Sequence, residues 1–363
     1  MVRNSSALTV YGPTIRKDWL DDLGPPIPET MDDWHTVLKA FKEKKGATAP
    51  FTGKYLSGQK WDIQDVFIGA FKTSNGFYLD DQGKVKYGPV DPQFKDALTL
   101  LRSWYAEGLI DKDFAVPDDS GNLQDNKMTG GASGATVAAT GGGMGRWLDI
   151  MKAKDPKYNL VAAPYPTLKK GEKAFIGQRY FKYNPSASTA VTTGAKDPKL
   201  AVQWLDYAFG QEGKMLFNFG IEGESYKMDN GKPVFTDLIL HNSKFNVQQI
   251  LSQYTKQNGP FPTDDRRNTN TYKQQDEASA IWSATDADKH TPPLFITPSQ
   301  DESKELAKIM TAISGYKEEM FVKFIMGKEP LENFDKYVQR LKTMGIDKAL
   351  KINQDAYDRY QKR

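Results

Sequence analysis

The chain has 363 residues, enough for roughly two to three domains and for more than one hydrophobic core. Lys and Arg together number 49 and Asp and Glu 46, a net charge of +3, which argues against nucleic acid as the main partner. Cysteine is absent, so disulfides and thiolate chemistry are excluded, and no apolar run approaches the ~18 residues of a membrane-spanning helix.

Capped amphipathic helices are predicted along the chain from start signals and 3.6-residue periodicity. The starts are the capping box of Thr30 and Asp33, Asp91-Pro92, Asp197-Pro198, the capping box of Ser299 and Glu302, and Pro330. On the apolar faces of these helices, Trp34, Trp104 and Trp204 are predicted to be core residues.

Short apolar runs between these helices predict strands. They cover residues 7–11, 135–139, 160–163, 175–183 and 189–192, with a hairpin formed by residues 77–79 and 85–87. Strands that alternate with capped helices predict an α/β architecture.

Catalytic and metal-binding patterns are missing from the sequence. His35, His241 and His290 have no metal-ligand spacing and are predicted to lie on the surface or on helix faces. The Asp-rich segments 80–83 and 118–121 resemble calcium loops but lack the acidic ligand at the twelfth position, which predicts plain turns. We therefore predict no catalytic residue, no metal and no cofactor.

A glycine-rich segment, residues 140–145, follows the predicted strand 135–139 and lacks the terminal Lys-Ser/Thr of a phosphate-binding P-loop. Two interpretations stay open at this point. It is either a flexible turn whose backbone approaches a polar ligand closely, or a purely structural turn.

Aromatic and polar side chains in loops suggest a carbohydrate site, because sugars present apolar C–H faces together with hydroxyl groups. The predicted ligand-binding residues are Trp61 and Asp62 in a polar loop, Arg146 and Trp147 after the glycine-rich segment, and Gln178 and Tyr180 in the predicted strand 175–183. Arg146 and Arg179 could bind the carboxylate of an acidic, uronate-containing sugar. Neutral glucans or xylans are the alternative ligands.

Several stretches resemble the extracellular solute-binding proteins, family 1, of carbohydrate ABC transporters, in particular the long lipoproteins of Gram-positive bacteria. The stretches are residues 10–20, 28–34, 209–223, 226–236, 320–331 and 344–347. The resemblance implies a type 2 periplasmic-binding-protein-like fold, with two α/β lobes joined by a hinge that close on a sugar. It also implies a non-enzymatic, monomeric, extracellular receptor that delivers an oligosaccharide to ABC permease subunits and has no nucleic-acid partner.

Members of the family carry a signal peptide, a lipid-modified cysteine and many further residues before the stretch that starts here at Tyr11. We therefore expect residues 8–173 plus 299–363 to form a nearly complete second lobe, and residues 1–7 plus 175–292 the returning part of an incomplete first lobe. Membrane association would depend on a lipid anchor that this chain does not contain.

Loss of partner elements in the first lobe should expose Phe175, Ile176, Phe217, Phe219 and Ile221. A carbohydrate-active enzyme and a peptide-binding transport receptor are the alternative functions.

Overall fold

The computed structural model of the chain describes residues 10–53, 66–118, 122–177, 189–240, 242, 244–245, 247–256, 259–267 and 270–363. These residues divide into two compact units, a larger one of residues 10–177 and 274–363 and a smaller one of residues 189–273. The chain returns to the larger unit after Lys273. Residues 274–292, expected in the first lobe, therefore belong to the larger unit.

The larger unit contains a three-stranded antiparallel sheet in the order β4 (Ala135–Ala139), β1 (Tyr11–Arg16), β5 (Leu160–Ala162). A separate hairpin pairs β2 (Phe77–Leu79) with β3 (Val85–Tyr87). The hairpin, β4 and β5 confirm the sequence prediction. Of the strand predicted over 7–11, residues 7–9 lie outside the described residues, Val10 is not part of a strand, and β1 covers Tyr11–Arg16. Its residues after Tyr11 are all buried, so the alternation that marks a half-exposed strand is missing.

The smaller unit contributes the hairpin of β6 (Tyr226–Asp229) and β7 (Lys232–Phe235). The α-helices of the described residues, in chain order, are α1 (Lys17–Leu23), α2 (Met31–Lys45), α3 (Pro92–Ala106), α4 (Asn122–Thr129), α5 (Arg146–Met151), α6 (Pro198–Asp206), α7 (Gln211–Phe219), α8 (Asp237–Leu240), α9 (Val247–Tyr254), α10 (Lys273–Ser283), α11 (Ala287–His290), α12 (Gln300–Ile325), α13 (Phe334–Thr343) and α14 (Ile346–Gln361). In the part of the chain that the structure describes, none of these helices combines the length and apolar composition needed to cross a membrane.

Helix starts agree closely with the predicted caps. Both capping boxes are formed, at Thr30 before α2 and at Ser299 before α12. Asp197 accepts a hydrogen bond from the Leu200 amide at the start of α6. Asp91 precedes α3 as expected, but its carboxylate accepts hydrogen bonds from Thr73 and Tyr78 instead of capping the helix. Burial raises the pKa of this carboxyl group.

The core of the larger unit is aromatic. Trp34 and Trp104 are buried as predicted, and each packs edge-on against Phe67 at ring-centroid distances of 5.7 and 5.2 Å. Such edge-to-face pairs add roughly 0.5–1.5 kcal/mol each to the hydrophobic effect. The predicted tryptophans therefore hold α2 and α3 together.

A smaller core lies inside the smaller unit, where Phe219, Tyr226, Phe235, Ile239, Ile250 and Leu251 are buried against one another. Next to it, the buried Asp264 carboxylate accepts bonds from Arg266 at 2.8 and 2.6 Å and lies 3.3 Å from the Lys214 ammonium. The Arg266 guanidinium in particular holds the pKa of Asp264 well below its ordinary value. This unit thus has its own apolar core and its own ionic contact.

Three predictions for the smaller unit are wrong. Trp204, expected in the core, is 74% exposed, because α6 buries none of its residues in this structure. Of the residues expected to be exposed, Phe219 is fully buried in the local core and Phe217 is half-buried, whereas Ile221 is exposed as predicted. Phe175 and Ile176, expected to be exposed as well, lie in the larger unit and are half-buried. Residues 189–192 form no strand, and all four are exposed. Of the strand predicted over 175–183, residues 175–177 are not a strand and the rest lies outside the described residues.

Hydrogen exchange should separate α6 from α3 and α10. We expect α6 amides to exchange at least about tenfold faster, because α6 has no buried residue while α3 and α10 each bury one face. Exchange followed by mass spectrometry measures this directly. Equal protection of α6 and α3 would contradict the exposure of α6, and an unprotected α10 would contradict its place in the larger unit.

Candidate functional site

The glycine turn, residues Thr140–Gly145, connects β4 to α5 and forms one π-helical turn. The Thr140 amide donates to the Val10 carbonyl oxygen at 2.8 Å, and the Arg146 amide closes the turn onto the Gly141 carbonyl. Single π-turns are frequent at functional sites because they widen the backbone locally. The predicted strand-to-helix turn is confirmed, and the wide backbone is a feature that the sequence did not predict.

Two glycines of this turn lie in different surroundings, and only one of them lacks room for a side chain. A Cβ at Gly143 would lie 2.8 Å from the Ala138 Cβ, which is closer than such atoms approach each other, so packing alone explains this glycine. A Cβ at Gly142 would meet no atom within 4 Å. Gly142 therefore leaves backbone open to an approaching molecule, whereas Gly143 serves the local packing.

Arg146 is the first residue of α5 and lies over the glycine turn. Its Nε donates to the Gly142 carbonyl oxygen at 2.9 Å, and its Nη2 pairs with the Asp125 carboxylate from α4. These contacts occupy two of the five guanidinium N–H donors among the described residues. With 29% of its side chain exposed, Arg146 is held in place and can still donate to an incoming acceptor.

Trp147 occupies a different environment. Its side chain is 1% exposed, and its indole Nε1 donates to the Asp125 carboxylate at 2.8 Å. A buried ring has no face to offer a sugar, so the expected stacking platform at Trp147 is not seen in this structure. Asp125 thus receives hydrogen bonds from two consecutive residues, and Trp147 helps to orient the carboxylate that pairs with Arg146.

The helix that carries Asp125 is fastened to the sheet. Gln124 is buried, and its side-chain amide donates to Thr136 Oγ1 at 2.7 Å and to the Val137 carbonyl at 2.8 Å, both on β4. Because β4 leads directly into the glycine turn, Asp125 and Arg146 are positioned by the same strand. This second polar anchor was not predicted from the sequence, since its partners lie 12 and 13 residues away.

Residues 3–215 match the family model described as bacterial extracellular solute-binding protein, which covers more than half of the chain. The chain belongs to this family.

Two proteins of Bacillus subtilis are similar to this chain in sequence. Lipoprotein LipO of Bacillus subtilis is 31% identical over 254 residues, 66% of this chain and 49% of LipO. Polygalacturonan/rhamnogalacturonan-binding protein YtcQ of the same organism is 31% identical over 115 residues, 30% of this chain and 22% of YtcQ. This solute-binding protein therefore spans about half the length of LipO.

The solved structure of alginate-binding protein AlgQ2 without calcium ion is similar with a TM-score of 0.79 and 26% identity. The match covers 98% of this chain and 73% of AlgQ2. It confirms the predicted α/β fold of the type 2 periplasmic-binding-protein class. Among the described residues of this solute-binding protein, no group of three Asp, Glu or His side chains is placed to hold a metal ion.

The other predicted ligand contacts of this solute-binding protein, Trp61, Asp62, Gln178 and Tyr180, lie outside the described residues. Their roles stay predictions. The Asp80 segment is confirmed as a plain turn, since the Asp80 carboxylate accepts hydrogen bonds from the Gln82 and Lys84 amides.

His290, predicted on the surface or on a helix face, is the last residue of α11 and is buried. Its ring stacks on Phe175 with 3.7 Å between centroids, and its Nδ1 bonds to the Leu79 carbonyl at 2.9 Å. Together with Phe175 it borders a cavity of about 230 Å³ in the larger unit, lined otherwise by Lys72, Asp81, Glu172, Lys173 and Asp286. Charges of both signs line this cavity, so it favours no single ligand class.

The burial of Trp147 predicts a structural effect of its removal. Trp147→Ala should lower the free energy of unfolding by about 3–5 kcal/mol through the cavity left in the core. The same substitution at the exposed Trp204 should change it by less than about 0.5 kcal/mol. Chemical denaturation of both variants gives the comparison. An unchanged free energy of unfolding in Trp147→Ala would contradict the burial of Trp147 and would favour the original prediction that its ring is exposed to the ligand.

Proposed function

We propose that this chain is the ligand-binding part of a non-enzymatic receptor that captures a uronate-containing oligosaccharide and delivers it to an ABC permease outside the cell. The observation that supports this proposal most strongly is the position of the Arg146 guanidinium. It is bonded to the glycine turn and to Asp125, and it is partly exposed beside the open backbone at Gly142. Membership of the solute-binding family supports binding without turnover.

The acidic nature of the ligand is inferred from two lines of support. The names of YtcQ and AlgQ2 refer to polygalacturonan, rhamnogalacturonan and alginate, polymers that contain uronic acids. In this chain, Arg146 has donors left after its contacts with Gly142 and Asp125. Charge-assisted bonds from arginine to a carboxylate are shorter and stronger than neutral ones, so a uronate would be favoured over a neutral sugar.

The remaining contacts in the proposal come from the sequence. Trp61 and Tyr180 would supply apolar ring faces to the sugar, and Asp62 and Gln178 would bind its hydroxyl groups. The name of LipO as a lipoprotein supports anchoring at the outer face of the membrane. The receptor would act as a monomer with respect to ligand capture, in contact with permease subunits.

Titration calorimetry with trigalacturonate tests this function, with a neutral galactose trimer and a tripeptide as matched comparisons. We expect saturable binding of trigalacturonate, weaker binding of the neutral trimer, and no cleavage products in the same samples by chromatography. Product formation would instead indicate a carbohydrate-active enzyme. Binding of the tripeptide alone would indicate a peptide receptor.

Arg146→Lys provides the sharper test of the site. Lysine keeps the positive charge but loses the planar fork of donors, so the affinity for trigalacturonate should fall about tenfold or more, while affinity for the neutral trimer should change little. The control is Arg340→Lys on the exposed side of α13, which should leave both affinities unchanged. An equal loss for the charged and neutral sugars would contradict a carboxylate contact at Arg146.

A further inference from the structure

Helix α10 begins where the chain returns from the smaller unit to the larger one. Its buried residues are Gln275, Ala278, Ser279 and Trp282, spaced so that they share one helical face. Three of these four residues carry polar atoms, and Gln275 has a full side-chain amide at 2% exposure. Burying an amide is costly unless it is hydrogen-bonded, so the position of Gln275 has to be explained by its contacts.

Gln275 contacts both ends of the glycine turn. Its Nε2 donates to the carbonyl oxygen of Thr140, the first residue of the turn, at 2.7 Å. A Cβ at Gly145, the last residue of the turn, would lie 2.4 Å from the same nitrogen. The side-chain amide therefore occupies the space that the missing side chain of Gly145 leaves, and it fixes the Thr140 carbonyl at the other end.

The opposite end of this helical face is held by Trp282. Its indole Nε1 donates to the Pro13 carbonyl on β1 at 3.0 Å, and its ring fills the space beside Gly12, where a Cβ would lie 2.6 Å away. Two buried hydrogen bonds seven residues apart thus seat α10 on the sheet and on the glycine turn. A helix is stiff over this length, so the placement of Gln275 follows the placement of α10 as a whole.

We propose that Gln275 is a positioning residue that holds the glycine turn, and Arg146 with it, in the ligand-binding geometry. The link to Arg146 is direct, because the Arg146 Nε bonds to the Gly142 carbonyl within the turn. The position of the site thereby depends on the start of α10, the point where the chain passes between its two units. The connection to ligand affinity rests on the proposed function, whereas the connection to the turn does not.

Two substitutions at this position separate the hydrogen bond from the volume of the side chain. Gln275→Met keeps the shape and removes the donor, so the amides of residues 141–146 should exchange about tenfold faster and trigalacturonate should bind about tenfold more weakly. The control is Gln274→Met at the neighbouring position, where the side-chain amide donates to Asn159 Oδ1 at 3.0 Å and not to the turn. This control should leave the turn and the affinity unchanged.

Gln275→Glu adds a readout that a general loss of packing would not give. At neutral pH the carboxylate cannot donate to the Thr140 carbonyl, and burial raises the pKa of such a glutamate above its ordinary value. Lowering the pH from about 8 to about 5 should protonate it, restore a donor, and bring the turn exchange and the affinity back towards wild type. Wild type and Gln275→Met, measured in parallel, should show no such recovery.

The outcomes separate this inference from the proposed function. If wild type binds no sugar, the proposed function fails, and the exchange rates of residues 141–146 still decide the role of Gln275. Unchanged exchange and affinity in Gln275→Met would overturn the positioning role. If Gln275→Met does not fold, the pH series of Gln275→Glu decides, and a loss without recovery at low pH would overturn it equally.

Discussion

The close approach of an indole ring to strand β1 is the constraint on which the larger unit depends. The Trp282 ring lies where a side chain of Gly12 would have to be, and its Nε1 bonds to the next carbonyl, that of Pro13. Any other residue at position 12 would push α10 away from the sheet. Because β1 is the central strand, pairing with β4 on one side and β5 on the other, a shift there would move every strand of the sheet.

The register of β1 against β4 then fixes the candidate site. Tyr11 lies opposite Ala139, so β4 ends beside the start of β1, and the next amide, that of Thr140, bonds to Val10. The glycine turn leaves the sheet at this point. Its open backbone at Gly142 and the partly exposed Arg146 are therefore supported by rigid structure on the strand side and by Gln275 on the helix side.

The other end of β1 is built for stability. Arg16 is buried, its guanidinium lies 4.6 Å from the ring centre of Trp19 and 4.2 Å from that of Tyr158, and it pairs with Asp18 through two nitrogens. The contacts offset the cost of removing a charge from water. Burial raises the pKa of the Tyr158 phenol in the same cluster. At this end of β1 the charged side chain, Arg16, is buried with its ionic partner. At the glycine turn, in contrast, Arg146 is partly exposed and has N–H donors left for a ligand.

Capping motifs and hydrophobic periodicity correctly predicted the helices whose formation depends on residues close together in the sequence. Capping boxes located α2 and α12, and periodicity located Trp34 and Trp104 in the core. The same periodicity gave a wrong prediction for Trp204. An apolar helix face shows that another element could pack against it, but it does not show that one is present. Trp147 and Gln275 required partners that are 22 and 135 residues away, and no local pattern indicates such pairings. The fold class was accessible from the sequence, whereas the support of the site was not.

A crystal structure of the chain with bound trigalacturonate tests the central claim most directly, namely that the glycine turn and Arg146 form the ligand contact. We expect a uronate carboxylate within hydrogen-bond distance of the Arg146 guanidinium and the sugar against the backbone at Gly142, with Gln275 still bonded to Thr140. A sugar bound at a position that leaves the glycine turn and Arg146 without contact would contradict it.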